Sequence, residues 1–510
     1  MRMMIACASA LVLTAACGSS KDAQAALEAM NLGEPDSGMI QYASKSGSGD
    51  KVTLKDAVLG PKGQGLFEAK TVELDGLDLT EDGKPTLSGF VVNDLTLRQM
   101  LPGVTFSIDS VAVKGANPAT GSFLASTLTS EGPGAPPAFE QWGYSEMSIK
   151  GLKVATDFSM LGMGDGSVTM DLGQFSTHDL KDTQIGEAKW AGWKGAFNIP
   201  VETGAPFPIV GSYDLGDLSV KGIRAGIFAE AVKAGMESAM DPYGASSVNE
   251  KVMAAMTSPI DPGYDSATFS GFNITASGAT LAMSDTKATV GRNGDGVVTK
   301  VSSPHTTLTF SVDPEAGQIG AMANEFMSKI GYDKLAIYAE AEATYEPEGD
   351  VTRYSKYNLG LDDGFDLQLS GGLEGLKSAL VSIMNMSDTM AYGGEPDMSG
   401  FEKMKIVDLD LTFTDKSITD RLLKLVAEEN GQDVEALRSD ILAQMSSMSS
   451  DMATDGLDPA VSNELVTALS SFIEKPGKLK ITLKPATPLA FDGSSEYTKT
   501  AMGFSATYEP

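Results

Sequence analysis

Few residues in this chain are equipped for chemistry. His178 and His305 are its only imidazoles, and Cys7 and Cys17 its only thiols. A zinc site would need Asp or Glu to complete its ligands, because no His-x-x-x-His and no cysteine pair occurs. A Ser-His-Asp triad needs only one histidine, yet no Gly-x-Ser-x-Gly elbow presents a nucleophile. Ser176-Thr177-His178-Asp179 and Pro304-His305 read instead as solvated turns. Glu340 and Glu342 share one strand face and stand side by side, as a glycosidase pair would. With 68 acidic residues in the chain, a wet strand face is the plainer meaning. Gly291-Arg292-Asn293-Gly294-Asp295-Gly296 lacks the first acidic ligand of a calcium loop, and Ser302 replaces its bidentate glutamate. Between Thr289-Val290 and Val297-Val298 it reads as a hairpin turn. No glycine loop followed by Lys-Ser or Lys-Thr is present to cradle phosphate. No catalytic residue, metal site or cofactor is assigned, and the chain is not expected to be an enzyme.

Binding has more support. Lys189-Trp190-Ala191-Gly192-Trp193-Lys194 holds two of the three tryptophans. Trp190 and Trp193 are the candidate ligand-binding residues, since two indoles beside two ammonium groups make a platform for an apolar or interfacial ligand. The competing role is to cap the core of a sheet. Of 26 methionines, Met236, Met240, Met253, Met256, Met322, Met327, Met384 and Met386 fall on expected helices. Methionine there suits adaptable apolar surfaces as well as ordinary core.

The elements that must hold these residues follow from periodicity. Apolar and polar residues alternate in Val72 to Leu79, Phe106 to Val113 and Met147 to Val154, which predicts strands with one wet face. Gly76, Gly89, Gly115, Gly151 and Gly222 lie inside or beside such runs and predict bulges and a sheet that curves. Beyond residue 220 strands alternate with amphipathic helices: Ile223 to Met240, Gln318 to Ile330, Leu373 to Met386, Ile418 to Ala427, Val434 to Met445 and Pro459 to Ile473. Leu479 to Leu483 returns to strand. Ala343-Thr344-Tyr345-Glu346-Pro347 recurs as Ala506 to Pro510, which suggests a repeat.

Apolar residues make up 42% and charged residues 21% of the 510, enough for a sizeable core. The net charge of −30 repels nucleic acid, whose binding needs clustered Lys and Arg. It is the charge of a protein kept soluble by its acidity.

The N-terminus is different. Arg2 precedes an apolar stretch, Met3 to Ala16, of secretory length and too short to span a bilayer. Leu11-Val12-Leu13-Thr14-Ala15-Ala16-Cys17-Gly18 resembles the lipobox of a bacterial lipoprotein. The resemblance implies cleavage before Cys17 and acylation of its thiol by palmitate-type chains, which attach the protein to a membrane. Gly18, rather than aspartate, implies sorting to the outer membrane. The expected organisation is a signal peptide over 1–16 and a lipidated tether over 17–50. A β-rich region over 51–222 and a mixed strand and helix region over 223–510 complete it, as one continuous body.

The expected fold is α+β, predominantly antiparallel β, an elongated curved sheet with packed amphipathic helices. This texture loosely resembles the AsmA-like and YdgA-like periplasmic proteins, whose repeated strands build β-rich bodies. The expected function is a non-enzymatic, lipid-anchored cell-envelope protein that binds lipid or another apolar ligand along a β-surface. Its expected partners are the membrane and a lipid or envelope protein. A structural or adhesin-like surface lipoprotein is the alternative, and a carboxylate-dependent hydrolase the third reading.

Overall fold

Alternating apolar and polar residues become antiparallel sheet along most of the chain. The computed structural model describes residues 17–19, 21–60, 62–63, 65–97, 102–129, 135–204, 208–227, 255–313, 318–391, 399–454, 457–490, 495 and 497–510. The signal segment expected over 1–16 and most of the helix expected over Ile223 to Met240 lie outside them. Strand makes up 49% and helix 25%, so the fold is α+β with β dominant. The chain divides into two compact units, Met1–Gly226 and Ile227–Pro510.

The first unit begins with β1 (Cys17–Ser19), β2 (Ile40–Gln41), β3 (Ser44–Gly49), β4 (Lys51–Leu59), β5 (Phe67–Asp75), β6 (Asp78–Leu79), β7 (Pro85–Thr86) and β8 (Gly89–Leu97). It continues with β9 (Val104–Lys114), β10 (Tyr144–Asp157), β11 (Ser167–Lys181), β12 (Gln184–Ile199), β13 (Ile209–Leu215) and β14 (Leu218–Arg224). The strands pair antiparallel in the order β3, β4, β5, β8, β9, β10, β11, β12. β13 and β14 then share β12 end to end.

Two rows of backbone irregularity cross this sheet in register. The first runs through Asp56, Lys70, Asp94, Asp109, Gly151, Gly173 and Gly192. Positive φ falls on alternate strands of that row, at Asp56 (50°), Asp94 (53°), Gly151 (64°) and Gly192 (64°). The second row runs through Gly76, Ser88, Gly115, Ser145, Asp179, Gly186 and Gly222. Its positive φ values again alternate, at Gly76 (62°), Gly115 (61°), Asp179 (56°) and Gly222 (62°). A left-handed residue in a strand shifts its pleat, so the apolar positions change parity at each crossing. Met147 and Ile149 precede Gly151, and Leu152 and Val154 follow it on the same face. Of the five glycines singled out by pattern, only Gly89 keeps negative φ; a Cβ there would press on the Val113 carbonyl at 2.7 Å.

Two helices cover part of this sheet. α1 (Lys21–Ala29) presents Ala23, Ala26, Leu27 and Met30 as one stripe, each at most 1% exposed. Asn31 ends it at φ 56°, and the Leu32 N–H returns to the Leu27 carbonyl at 2.8 Å, a C-terminal lock typical of αL caps. α2 (Pro118–Thr127) starts at Asn117, whose side chain accepts from the Thr120 N–H, with Pro118 in the first turn where its missing N–H costs nothing. Together they bury Val52, Leu54, Val72, Leu74 and Val92. The tether expected over 17–50 is thus corrected. From Lys21 onward that segment is folded, with Ala23, Ala26, Leu27, Met30, Leu32, Ile40 and Tyr42 in the core cluster and Ser44–Gly49 an exposed strand, because an amphipathic stripe needs a partner and this one finds it on the sheet.

The second unit carries β15 (Ser266–Phe269), β16 (Phe272–Ala276), β17 (Ala279–Met283), β18 (Thr286–Arg292), β19 (Val298–Val312) and β20 (Lys334–Glu346). Then come β21 (Val351–Leu361), β22 (Phe365–Glu374), β23 (Lys405–Asp415), β24 (Lys478–Leu483), β25 (Leu489–Ala490) and β26 (Ser505–Glu509). β19 to β24 pair consecutively, with β26 beyond β24. The expected helices appear as α3 (Gln318–Lys329), α4 (Leu376–Ala391), α5 (Ser399–Glu402), α6 (Ile418–Asn430), α7 (Val434–Thr454) and α8 (Pro459–Glu474), with α9 (Lys499–Met502) near the end. α8 lays Val461, Ala468 and Phe472 on Phe413, Leu479 and Ile481. Both copies of the Ala-Thr-Tyr-Glu-Pro repeat close a strand, β20 and β26.

Candidate functional site

The apolar face of the first unit is one continuous surface that described helices cover over only part of its width. Two neighbouring ladders cross eight strand positions on either side of the first irregular row. One runs Leu54, Val72, Val92, Val111, Ile149, Phe175, Trp190, Leu218. The other runs Ala57, Ala69, Leu95, Ile108, Leu152, Leu172, Trp193, Leu215. Every residue is apolar. Over β4 to β9 six of the eight ladder residues are buried, with Leu54 at 0% and Ala57 at 1% exposure, and Leu95 and Val111 are partly buried. From β10 onward all eight ladder residues are only half-buried. Burial falls where helix cover stops, not where sequence character changes.

Trp190 and Trp193 sit at the centre of this open stretch. They are three residues apart, a spacing that would put them on opposite faces of a regular strand. Gly192, at φ 64°, brings both onto one face, where the rings meet edge to face at 6.3 Å and 86°. Both indole Nε1 atoms are buried, and neither has a hydrogen-bond acceptor. A buried donor without a partner costs on the order of 1–3 kcal/mol. The lysines expected beside the indoles do not join them. Lys189 and Lys194 alternate to the opposite face, where Lys189 pairs with Glu187 at 2.8 Å. That bond, with the Ser219 hydroxyl, holds the Glu187 carboxyl below the usual glutamate range.

The remaining candidates resolve as structural parts. His178 lies within β11, with Nε2 3.2 Å from the Ser176 hydroxyl. His305 lies within β19 and stacks on Tyr338 at 4.7 Å. Both were expected in turns, and long-range strand pairing overrides that local reading. Glu340 pairs with Lys356 at 2.6 Å, and Glu342 pairs with Lys300 at 3.2 Å. They form part of an ion-paired wet strand face. Asn293 closes the hairpin between β18 and β19 by accepting from the Asp295 and Val297 N–H groups. A shallow groove of 460 Å³ on the polar face of β21 to β24 contains one carboxylate, Asp410, flanked by Lys484 at 3.5 Å and Lys480 at 3.9 Å.

Cys17 has its backbone on the sheet edge, where β1 joins β3 in parallel and Cys17 lies opposite Gly47. Pattern reading singled out both tryptophans as candidates. It did not find the ladders they belong to, because partners such as Phe175, Leu172 and Leu218 come together only through register.

A family model described only as "Uncharacterized protein" matches residues 358–505. No curated protein and no solved structure matches the chain.

Proposed function

We propose that this chain is a non-enzymatic lipoprotein of a bacterial cell envelope, acylated at Cys17, placed at the outer membrane, and binding a lipid on the apolar face of β10 to β14. The observation that carries the binding reading is the continuous, half-exposed apolar ladder of β10 to β14 with the edge-to-face pair Trp190 and Trp193 at its centre. An acyl chain covers the ladder and packs on the two indole rings. The gain from such cover is roughly 25 cal/mol for each Å² of apolar surface withdrawn from water. Attachment rests on the lipobox at Leu11 to Gly18. The acylated residue lies directly before a folded body, since only residues 18–20 separate Cys17 from α1.

The test uses the full chain purified from its own envelope. Solvent extraction removes non-covalent lipid and leaves the Cys17 acyl chains in place, so the two are counted separately by mass spectrometry. Stoichiometric extractable lipid is expected. Replacing both indoles, Trp190→Ser with Trp193→Ser, should lower it about tenfold, the equivalent of 1.4 kcal/mol. A native chain free of extractable lipid, or a double variant that holds as much, would contradict the binding reading. Absence of covalent acyl chains would contradict the lipoprotein reading alone.

A further inference from the structure

The polar face of β21 to β24 carries a row of uncharged hydrogen-bonding groups that the fold does not use. Register aligns Asn358, Gln368 and Thr412 across β21, β22 and β23, between Glu340 of β20 and Lys480 of β24. The adjacent row holds Ser370, Asp410 and Thr482. Residues directly opposite in an antiparallel pair share a face, and neighbouring strands lie about 4.8 Å apart. Asn358, Gln368, Ser370 and Thr412 line the groove of 460 Å³. Among the described residues, none of these four side chains has a hydrogen-bond partner. The charged groups around them are occupied. Glu340 holds Lys356 at 2.6 Å, Glu342 holds Lys300 at 3.2 Å, Asp366 holds Lys416 at 3.0 Å and Asp408 holds Arg353 at 2.8 Å. Asp410 lies between Lys484 and Lys480, at 3.5 and 3.9 Å.

We infer that this groove is a binding site for an uncharged saccharide, separate from the apolar face of the first unit and independent of the lipid reading. Its chemistry selects the ligand. An acyl chain finds no surface there, since Leu369 is the one apolar residue among the described residues that line it. A calcium ion takes six to eight oxygens, and here it would meet one carboxylate flanked by two ammonium groups. An anion such as phosphate would have to compete with Asp410 for Lys480 and Lys484 while lying beside its like charge. An extended peptide adds to an open sheet edge, but β21, β22, β23 and β24 are each paired on both sides. What the groove offers is amides and hydroxyls that both donate and accept, held on paired strands instead of loops. Sugar hydroxyls also do both, so a saccharide satisfies the Asn358 and Gln368 amides in one row while Lys480 and Lys484 donate to its oxygens. No aromatic ring lines the groove among the described residues, so the affinity should be weak, with a Kd on the order of 1 mM.

The full chain is titrated with maltotetraose and with chitotetraose, both uncharged, and separately with inorganic phosphate, and binding is read by saturation-transfer NMR. At least one saccharide should bind, with an affinity that changes by less than about twofold between roughly 0.05 M and 0.5 M salt, because no ion pair is made to it. Asn358→Thr with Gln368→Thr should weaken that binding about tenfold. Threonine suits a strand, and neither amide has an internal partner to lose, so the melting of this variant should stay native. Thr414→Val, on the same face but outside the groove, should bind as the native chain does. Trp190→Ser with Trp193→Ser should also keep its saccharide, so loss of the lipid face and loss of this site are read apart. Binding of neither saccharide, binding that survives the double threonine variant, or binding of phosphate alone overturns the inference.

Discussion

Leu27→Ala should lower the stability of the first unit by about 3 kcal/mol, within the range for emptying a fully buried leucine site. Leu27 is 1% exposed and belongs to one core cluster with Ala23, Ala26, Met30, Leu54 and Leu74, which are themselves closed to water. The alanines beside it cannot expand into the space, and the sheet below is fixed by pairing on both sides, so little collapse offsets the cavity. For a unit of this size the melting temperature of its transition should fall by about 6–12 °C. The same reasoning makes removal of residues 17–50 far more damaging than trimming a linker would be, because it deletes α1 and the three strands β1 to β3. A thermal melt of the full chain, followed in the far ultraviolet, checks both expectations. An unchanged Leu27→Ala melt would return this segment to the status of a tether.

Gly151→Ala should cost the first unit about 3 kcal/mol as well, through the backbone instead of the core. An L residue at φ 64° carries a penalty of about 1–2 kcal/mol. The new Cβ would also collide with the Asp109 carboxylate on the neighbouring strand, and either β9 or β10 must shift to admit it. Gly83→Ala supplies the comparison, since Gly83 has φ 77° and no atom within 4 Å of an added Cβ. It should cost only the conformational part. If the two variants melt alike, the collision is relieved without strain and the register row is softer than its geometry indicates. If Gly151→Ala is the more damaged, the irregular row holds the two ladders, and with them Trp190 and Trp193, on one face.

The two irregular rows were legible in part from sequence. Met147-Ser148-Ile149-Lys150-Gly151-Leu152-Lys153-Val154 changes the parity of its apolar residues at the glycine. Val72 to Leu79 does the same at Gly76. What one sequence window does not disclose is alignment: Asp56 and Asp94 in the first row and Asp179 in the second take the same left-handed conformation without being glycine, and only register places each in its row. The second unit was the more readable, because each amphipathic helix carries its own caps and period. Asp458 before Pro459, for example, fixes the start of α8 within a few residues. Ser44 to Gly49 misled for a physical reason. An edge strand needs backbone hydrogen bonds and no buried side chains, so Ser-Lys-Ser-Gly-Ser-Gly pairs with β4 while looking like a linker. The tryptophan site was half legible. The residues were named from composition, but their lysine neighbours were assigned to the same surface, and strand alternation sends them to the other.

The account stands on the open apolar face of β10 to β14 being a lipid site, and adjacent positions on β11 test it most directly. A photo-crosslinking benzoylphenylalanine placed at Leu172 lies in the ladder beside Trp193. The same group at Asp171 lies on the opposite, ion-paired face. Irradiation of the full chain in intact cells should give adducts of lipid mass at position 172 and none at position 171. Adducts at 172 only with protein, or equal lipid adducts at both positions, would contradict a lipid-binding face.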